Sequence, residues 1–231
     1  MNQLAHFLKH DFMLLNRNRI IQISALVTLI YIAVFKGLST FGNMDQLLVL
    51  VIFNDPALLG FLFIGVMMLF EKNENTLQVL AIAPFDEKNY ILSKSISLTV
   101  ISLVCCLAMA IAAHGLNFNW IHFTLASILT SMLFSFLGFI VVARENAFNK
   151  YILKAIGWLL LLSVPFLGYF GLTKFYWYIL VPTQPAIDLF QASFDETFSV
   201  SRIVYAYAAL LIWIVLTYFW AVHSITKNIQ K

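Results

Sequence analysis

The sequence contains few charged residues. Asp, Glu, Lys and Arg make up 11% of its 231 residues, whereas they make up about 25% of an average soluble domain. An ordinary water-soluble domain is excluded, because 61% of the residues are hydrophobic and the mean hydropathy is +0.88. The apolar runs are also too long and too uniform for transmembrane β-strands, which alternate over about ten residues. The sequence therefore predicts an all-α integral membrane protein.

Motifs for catalysis and for nucleotide binding are absent. The sequence has no G-x-x-x-x-G-K-[ST], G-x-S-x-G or H-E-x-x-H, so it lacks a P-loop, a serine nucleophile elbow and a zinc-protease helix. His6 and His10 have the four-residue spacing of a metal site, but without a third ligand nearby a solvated polar face is favoured. We therefore predict that this chain is not an enzyme and holds no cofactor or metal.

The sequence has few cysteines and a net charge close to zero. Cys105 and Cys106 are the two cysteines, and neighbours on a helix point about 100° apart, so no disulfide between them is expected. The net charge is only +3, and no basic surface interleaved with aromatic residues is present. We therefore predict no nucleic-acid partner.

Strongly charged residues are missing from the middle of the predicted spans, where ion-coupled carriers usually keep one. The nearest exception is Asp55. The order Asp55-Pro56 predicts a helix start, with Asp at the N-cap and Pro at the first helical position, and this capping role explains the carboxylate. Residues 47–53 either continue the following span through a proline kink or form a separate short element.

Apolar runs predict six membrane spans and one interfacial helix. The interfacial helix covers residues 2–16 and has its apolar side chains on one face. Asp11 projects onto that apolar face; a carboxylate that reaches water is favoured there, and a buried partner is the alternative. The predicted spans cover residues 20–36, 47–70, 91–113, 120–142, 151–170 and 203–222.

Basic residues lie mostly on one side of the predicted bundle. Eleven of the 14 Lys and Arg residues fall in the N-terminal segment, residues 71–94, residues 144–154 and the C-terminal tail. The positive-inside rule then predicts that both termini and residues 71–94 are cytoplasmic. The long loop 171–201, with a short interfacial helix near 186–194, would face outward.

A polar stretch, residues 71–94, interrupts the apolar sequence between the second and third spans. Asn75 is a plausible N-cap, and Pro84 ends the predicted helix, because a helix rarely runs through the residue before a proline. The helix has about two turns, and its apolar residues include Leu77, Leu80 and Ile82. Since so short a helix is not stable alone in water, we expect it to dock on a soluble partner.

This stretch resembles the signature of ABC type-2 exporter permeases, in which a Glu, a Gly-Thr pair, a Leu, a Pro and a Lys recur at comparable spacing between spans two and three. The matching residues are Glu71, Asn75, Thr76, Leu80, Pro84 and Lys94. Asn75 stands where the family has Gly, and Asn also tolerates cap and left-handed conformations. Residues 54–60 and 182–186 resemble the fluoroquinolone-export permease subgroup of that family.

The resemblance implies a transport subunit in the inner (plasma) membrane of a bacterium. Two permease subunits, identical or paralogous, would assemble with two separate ABC ATP-binding subunits, which bind ATP and Mg. Residues 75–84 would form a coupling helix whose apolar side chains fill a groove on the ATPase. Glu71 and Lys94 either hold the ends of this helix by ion pairing or are ordinary flanking charges, and both alternatives remain open.

The apolar, aromatic-rich spans suit a lipophilic or amphiphilic cargo, such as a drug, lipid or peptide, and the resemblance implies that it is moved out of the cytoplasm, as in multidrug efflux and antibiotic resistance. The alternative is an ATP-independent carrier or channel, which needs a polar path of its own. Two stripes of small polar residues offer such a path, although close helix packing is the favoured interpretation. They are Ser95, Thr99 and Ser102 in the third span, and Ser127, Ser131 and Ser135 in the fourth.

Overall fold

The computed structural model describes residues 3–38, 45–74 and 87–229. It is 86% helical, with no strand in the described ranges, so the prediction of an all-α protein is confirmed. The helices are α1 (Gln3–Arg17), α2 (Ile20–Leu38), α3 (Asp45–Leu58), α4 (Ile64–Asn73), α5 (Glu87–His114), α6 (Trp120–Val142), α7 (Phe148–Leu162), α8 (Pro165–Tyr169), α9 (Thr183–Phe194) and α10 (Val200–Ile229). A π-helical turn, Leu59–Phe63, joins α3 to α4, and a 3-10 turn, Tyr176–Leu180, precedes α9.

Within the described ranges, six helical stretches are long and apolar enough to cross a membrane, as the sequence predicted. Spans 1 to 6 are Ile20–Gly37, Gln46–Asn73, Glu87–His114, Trp120–Val142, Phe148–Tyr169 and Val200–Lys227. Spans 2, 3 and 4 form the core, because 61%, 50% and 72% of their most apolar windows are buried. The corresponding values are 22%, 28% and 17% for spans 1, 5 and 6, which leave broad apolar faces exposed.

Span 2 is one continuous helical stretch, and Pro56 lies inside it. The prediction that Asp55 caps a helix that starts at Pro56 is therefore wrong. Proline has no N–H, so the carbonyl of Ile52 loses its usual helical donor. The Cys106 thiol of span 3 donates to that carbonyl at 3.6 Å, and the backbone relaxes into the π-helical turn directly afterwards.

The π-helical turn packs directly on span 4 through two glycines. A Cβ on Gly60 would lie 2.7 Å from the carbonyl oxygen of Ser131, and a Cβ on Gly138 would lie 2.7 Å from that of Phe61. Both distances are too short for a real side chain. The two backbones therefore touch where neither residue carries a side chain.

The two stripes of small polar residues are buried between neighbouring helices. Thr99 of span 3 donates a hydrogen bond to the Ser131 hydroxyl of span 4 at 3.1 Å. Ser95, Ser102, Ser127 and Ser135 are at most 1% exposed. This arrangement agrees with close packing of spans 3 and 4 rather than with an open polar path.

The loop between spans 5 and 6 contains α9, which packs into one end of the bundle. Its residues Ile187, Leu189 and Phe190 are fully buried, and the Phe190 ring stacks edge-on against Phe53 of span 2 and Phe123 of span 4. This helix therefore closes the bundle at the end where span 2 begins, opposite the end where span 2 finishes at Asn73 and span 3 begins at Glu87.

Candidate functional site

Three separate elements bring charged side chains together at the other end of the bundle. Glu71 lies in the last turn of α4, just before residues 75–86, and Lys94 lies two turns into α5, just after them. Asp11 comes from the middle of α1. Tyr90 and Ser93 of α5 complete the group. We call these five residues the buried charge cluster.

Lys94 is the central cation of the buried charge cluster. Its Nζ donates to Glu71 Oε1 at 2.5 Å and to Asp11 Oδ1 at 2.8 Å. The hydroxyl of Tyr90 donates to Glu71 Oε2 at 2.6 Å, and that of Ser93 donates to Asp11 Oδ2. Both oxygens of both carboxylates are therefore hydrogen-bonded, which is the condition for keeping charges out of water.

Because they are buried, the charged side chains of the cluster depend strongly on one another. Asp11, Glu71 and Lys94 are only 2%, 3% and 1% exposed. The Lys94 ammonium also lies 4.7 Å from the centroid of the Tyr90 ring, a favourable cation–π geometry. Removing one partner of a buried ion pair typically costs about 3–5 kcal/mol. The buried charge cluster thus fastens α1, span 2 and span 3 to one another.

Two sequence interpretations change with this geometry. The favoured interpretation, that the Asp11 carboxylate reaches water, is wrong. Asp11 is buried against Lys94, 83 residues further along the chain. Glu71 and Lys94 are ion-paired with each other, while their holding the ends of the coupling helix stays a prediction. The sequence reasoning missed Tyr90 and Ser93, although Tyr90 stands one helical turn before Lys94 and so shares its face.

The predicted coupling helix cannot be placed in the same way. Residues 75–84 lie outside the described residues. The candidate docking positions among them are Asn75, Thr76, Leu77, Leu80, Ile82 and Pro84. Their role in docking an ATPase stays a prediction.

Weaker polar contacts surround the buried charge cluster. Arg17 at the end of α1 forms an ion pair with Glu74 at 3.0 Å, but both side chains are more than half exposed, so this pair contributes little. Lys72 donates to the backbone carbonyl of Glu145 at 2.8 Å, and the Glu145 side chain pairs with Lys154. The contact of Lys72 with Glu145 joins the end of span 2 to the loop between spans 4 and 5.

A cavity of about 250 Å³ lies beside the buried charge cluster and is lined in addition by His6, Phe7 and His10. Ligand atoms of His10, Asp11 and Glu71 lie within 4.8 Å of one another. The fold thus supplies the neighbours that the histidine pair lacks in the sequence. Because Lys94 already binds one oxygen of each carboxylate, its ammonium is the cation of this group.

A second buried carboxylate, that of Asp55, lies within span 2 and faces no such cation. Asp55 is 5% exposed. No side chain among the described residues forms an ion pair with it, and its Oδ2 atom has no hydrogen-bond partner there. With the capping explanation removed, this intramembrane carboxyl needs a different account.

The chain matches a known protein family over almost its whole length and two individual proteins over part of it. The model of the fluoroquinolones export permease protein family matches residues 2–230. Two proteins of Mycobacterium tuberculosis, from strains CDC 1551 / Oshkosh and ATCC 25618 / H37Rv, are both named fluoroquinolones export permease protein. Each is 29% identical over 147 residues, which cover 63% of this chain and 62% of the relative. The matched segment therefore spans less than two thirds of those relatives.

Proposed function

This chain belongs to the fluoroquinolones export permease protein family, and we propose that it is the membrane-spanning subunit of an ATP-driven ABC exporter. It moves a lipophilic or amphiphilic compound, such as a drug, out of the cytoplasm. A separate ABC ATP-binding subunit binds ATP and Mg and supplies the energy. A second permease subunit completes the transport path, and both termini lie in the cytoplasm.

The observation that carries this proposal is the buried charge cluster. Glu71 lies two residues before the end of span 2 and Lys94 lies two turns into span 3, on either side of residues 75–86 in the chain, and these two side chains are ion-paired. Lys94 is also paired with Asp11 of the interfacial helix. A displacement of residues 75–86 by a partner is therefore passed to α1 and to both core spans together, because they share one set of buried charges.

A substitution in the predicted coupling helix tests the proposal. We expect Leu80→Asp to leave the protein in the membrane but to abolish co-purification with its ATP-binding subunit and ATP-dependent export, since a charge cannot fill an apolar groove. The matched control is Leu116→Asp, an exposed leucine at the opposite end of the bundle. Normal co-purification and export by Leu80→Asp would refute the proposal.

Asp55 favours a second candidate function, an ATP-independent carrier. Ion-coupled carriers keep a carboxyl inside the bundle, and Asp55 is such a group. The two candidates predict opposite results. In a carrier, Asp55→Asn abolishes export and Leu80→Asp has no effect; in the ATP-driven exporter, Leu80→Asp abolishes export and Asp55→Asn retains it.

A further inference from the structure

Side chains that can bind a metal ion converge from two elements beside the buried charge cluster. His10 and Asp11 of α1 and Glu71 of span 2 each place a ligand atom within 4.8 Å of the others. Among the described residues, this is the one group of three His, Cys, Asp or Glu side chains that lie so close together. The sequence argued against a metal because the pair His6 and His10 has no third ligand nearby, and the fold brings two carboxylates to that pair.

The charges of the cluster do not balance within the protein. Lys94 supplies one ammonium to two carboxylates, those of Asp11 and Glu71, so one negative charge is left over. No second Lys or Arg of the described ranges forms an ion pair with either carboxylate. Both carboxylates are at most 3% exposed, and a buried net charge is costly. A cation bound in the neighbouring cavity would supply the missing charge.

The two carboxylates are also held as metal ligands usually are. The hydroxyl of Tyr90 donates to Glu71, that of Ser93 donates to Asp11, and Lys94 donates to both. In metal sites such outer hydrogen bonds fix the orientation of the ligating carboxylates. A carboxylate has about four lone-pair sites, and these contacts use two on each. Both carboxylates therefore retain the capacity to bind an ion.

The cavity has room for an ion together with water. Its volume is about 250 Å³, whereas one water takes about 30 Å³ of the liquid. With bonds of about 2.0–2.2 Å, a tetrahedral Zn²⁺ would hold its ligand atoms about 3.3–3.6 Å apart. His10 is exposed, so rotation of its ring can close the remaining gap. His6 is exposed as well, lies one helical turn earlier and lines the same cavity.

We propose that this cavity is a binding site for one divalent transition-metal cation, for which Zn²⁺ is the best match. Its ligands are two imidazoles of α1 and two carboxylates: His6, His10, Asp11 and Glu71. Imidazole together with carboxylate suits Zn²⁺, whereas Mg²⁺ and Ca²⁺ prefer oxygen ligands alone. The ion joins α1 to the end of span 2 in addition to Lys94. This inference goes beyond the proposed function and does not depend on it.

Metal titration of the purified permease, in detergent and with an affinity tag that contains no histidine, tests the site. We expect one Zn²⁺ to bind per chain and to raise the midpoint of thermal unfolding, because a ligand of the folded state stabilises it. Co²⁺ in place of Zn²⁺ should give the strong visible absorption of a tetrahedral complex, and Mg²⁺ should not raise the midpoint. No binding of Zn²⁺, or an equal effect of Mg²⁺, would overturn the inference.

A substitution at an exposed histidine assigns a ligand and leaves the buried ion pairs in place. His10→Gln should weaken Zn²⁺ binding by at least about ten-fold, since even the loss of an outer hydrogen bond typically costs about 10–100-fold. The midpoint of unfolding without metal should not change. The matched control is His223→Gln, an exposed histidine near the end of span 6, which should bind Zn²⁺ normally. An unaltered affinity in His10→Gln would overturn the inference.

Two further variants separate this site from a bare pair of histidines on a helix surface. Glu71→Gln keeps both histidines and the shape of the side chain but removes one ligand charge, so Zn²⁺ affinity should fall by at least about ten-fold. Ser93→Ala is the milder change: it removes one hydrogen bond from Asp11 and should weaken Zn²⁺ binding by about 10–100-fold. Full affinity in either folded variant would mean that the histidines bind the ion without the carboxylates, and the proposed site would be wrong.

Discussion

Lys94 is the residue whose charge holds the buried charge cluster together. It neutralises part of the charge of two buried carboxylates at once, so its loss leaves Asp11 and Glu71 facing each other without a cation. Lys154 offers a contrast, because it also pairs with a carboxylate, that of Glu145, while its own side chain is 60% exposed. The two lysines therefore differ in burial more than in chemistry.

We expect Lys94→Met to lower the stability of the purified protein by about 3–5 kcal/mol, because two buried charges lose their partner. Lys154→Met should lower it by less, because Lys154 is 60% exposed and Lys72 still acts electrostatically on Glu145, the one carboxylate that loses its partner. Denaturant unfolding in detergent micelles measures both. Similar losses of stability in the two variants would mean that the buried charge cluster is not buried as described.

Sequence reasoning reached the three charged residues of this cluster, but neither Tyr90 and Ser93 nor the contacts among the five. The placement of Asp11 on the apolar face of α1 was readable from helical spacing. The partner of Asp11 could not be predicted, because Lys94 lies 83 residues away. The helical pattern of α1 carries no information about which element covers that helix. Glu71 and Lys94 were identified from the resemblance, and their ion pair came only with the fold.

At the scale of helices, span 2 explains why one local signal misled. An Asp-Pro pair favours a helix start when the chain before it is free to turn. Here the apolar residues on both sides must cross the bundle, and the Cys106 thiol satisfies the carbonyl that Pro56 leaves open. Tertiary contacts therefore override the capping preference of Asp55, and the π-helical turn absorbs the distortion.

The contact between the π-helical turn and span 4 should be intolerant of any side chain. We expect Gly138→Ala to destabilise the protein by about 1–3 kcal/mol, because its Cβ would lie 2.7 Å from the Phe61 carbonyl oxygen. Gly157→Ala is the matched control, since nothing lies within 4 Å of a Cβ there and alanine favours a helix. Thermal unfolding of the two variants side by side decides the matter.

At the scale of the whole molecule, composition and hydropathy were enough to predict six spans. What they could not predict is which spans form the core. Spans 1, 5 and 6 are as apolar as a membrane requires, yet their low burial leaves broad apolar faces uncovered; in the proposed exporter, lipid or a second permease subunit would cover them. The sequence alone cannot separate a lipid-facing leucine from a core leucine, because the bilayer is as apolar as the bundle.

The orientation of the bundle is a further prediction at this scale. A membrane-impermeant maleimide applied to intact cells should label Leu116→Cys and should not label Lys150→Cys or Lys227→Cys; all three positions are exposed. The native Cys105 and Cys106 are buried, so they should give little background. Labelling at Lys150→Cys but not at Leu116→Cys would show that the topology is the reverse of the predicted one, with residues 71–94 outside the cell.

The most direct test of the account places a photo-crosslinking amino acid at position 80 and co-expresses the chain with the ATP-binding subunit proposed for it. Irradiation should join position 80 to that subunit, and the same amino acid at position 116 should give no such product. The central claim is that the predicted coupling helix, residues 75–84, receives the force of ATP hydrolysis. Export of cargo by a protein whose position 80 never crosslinks to an ATP-binding subunit would contradict it.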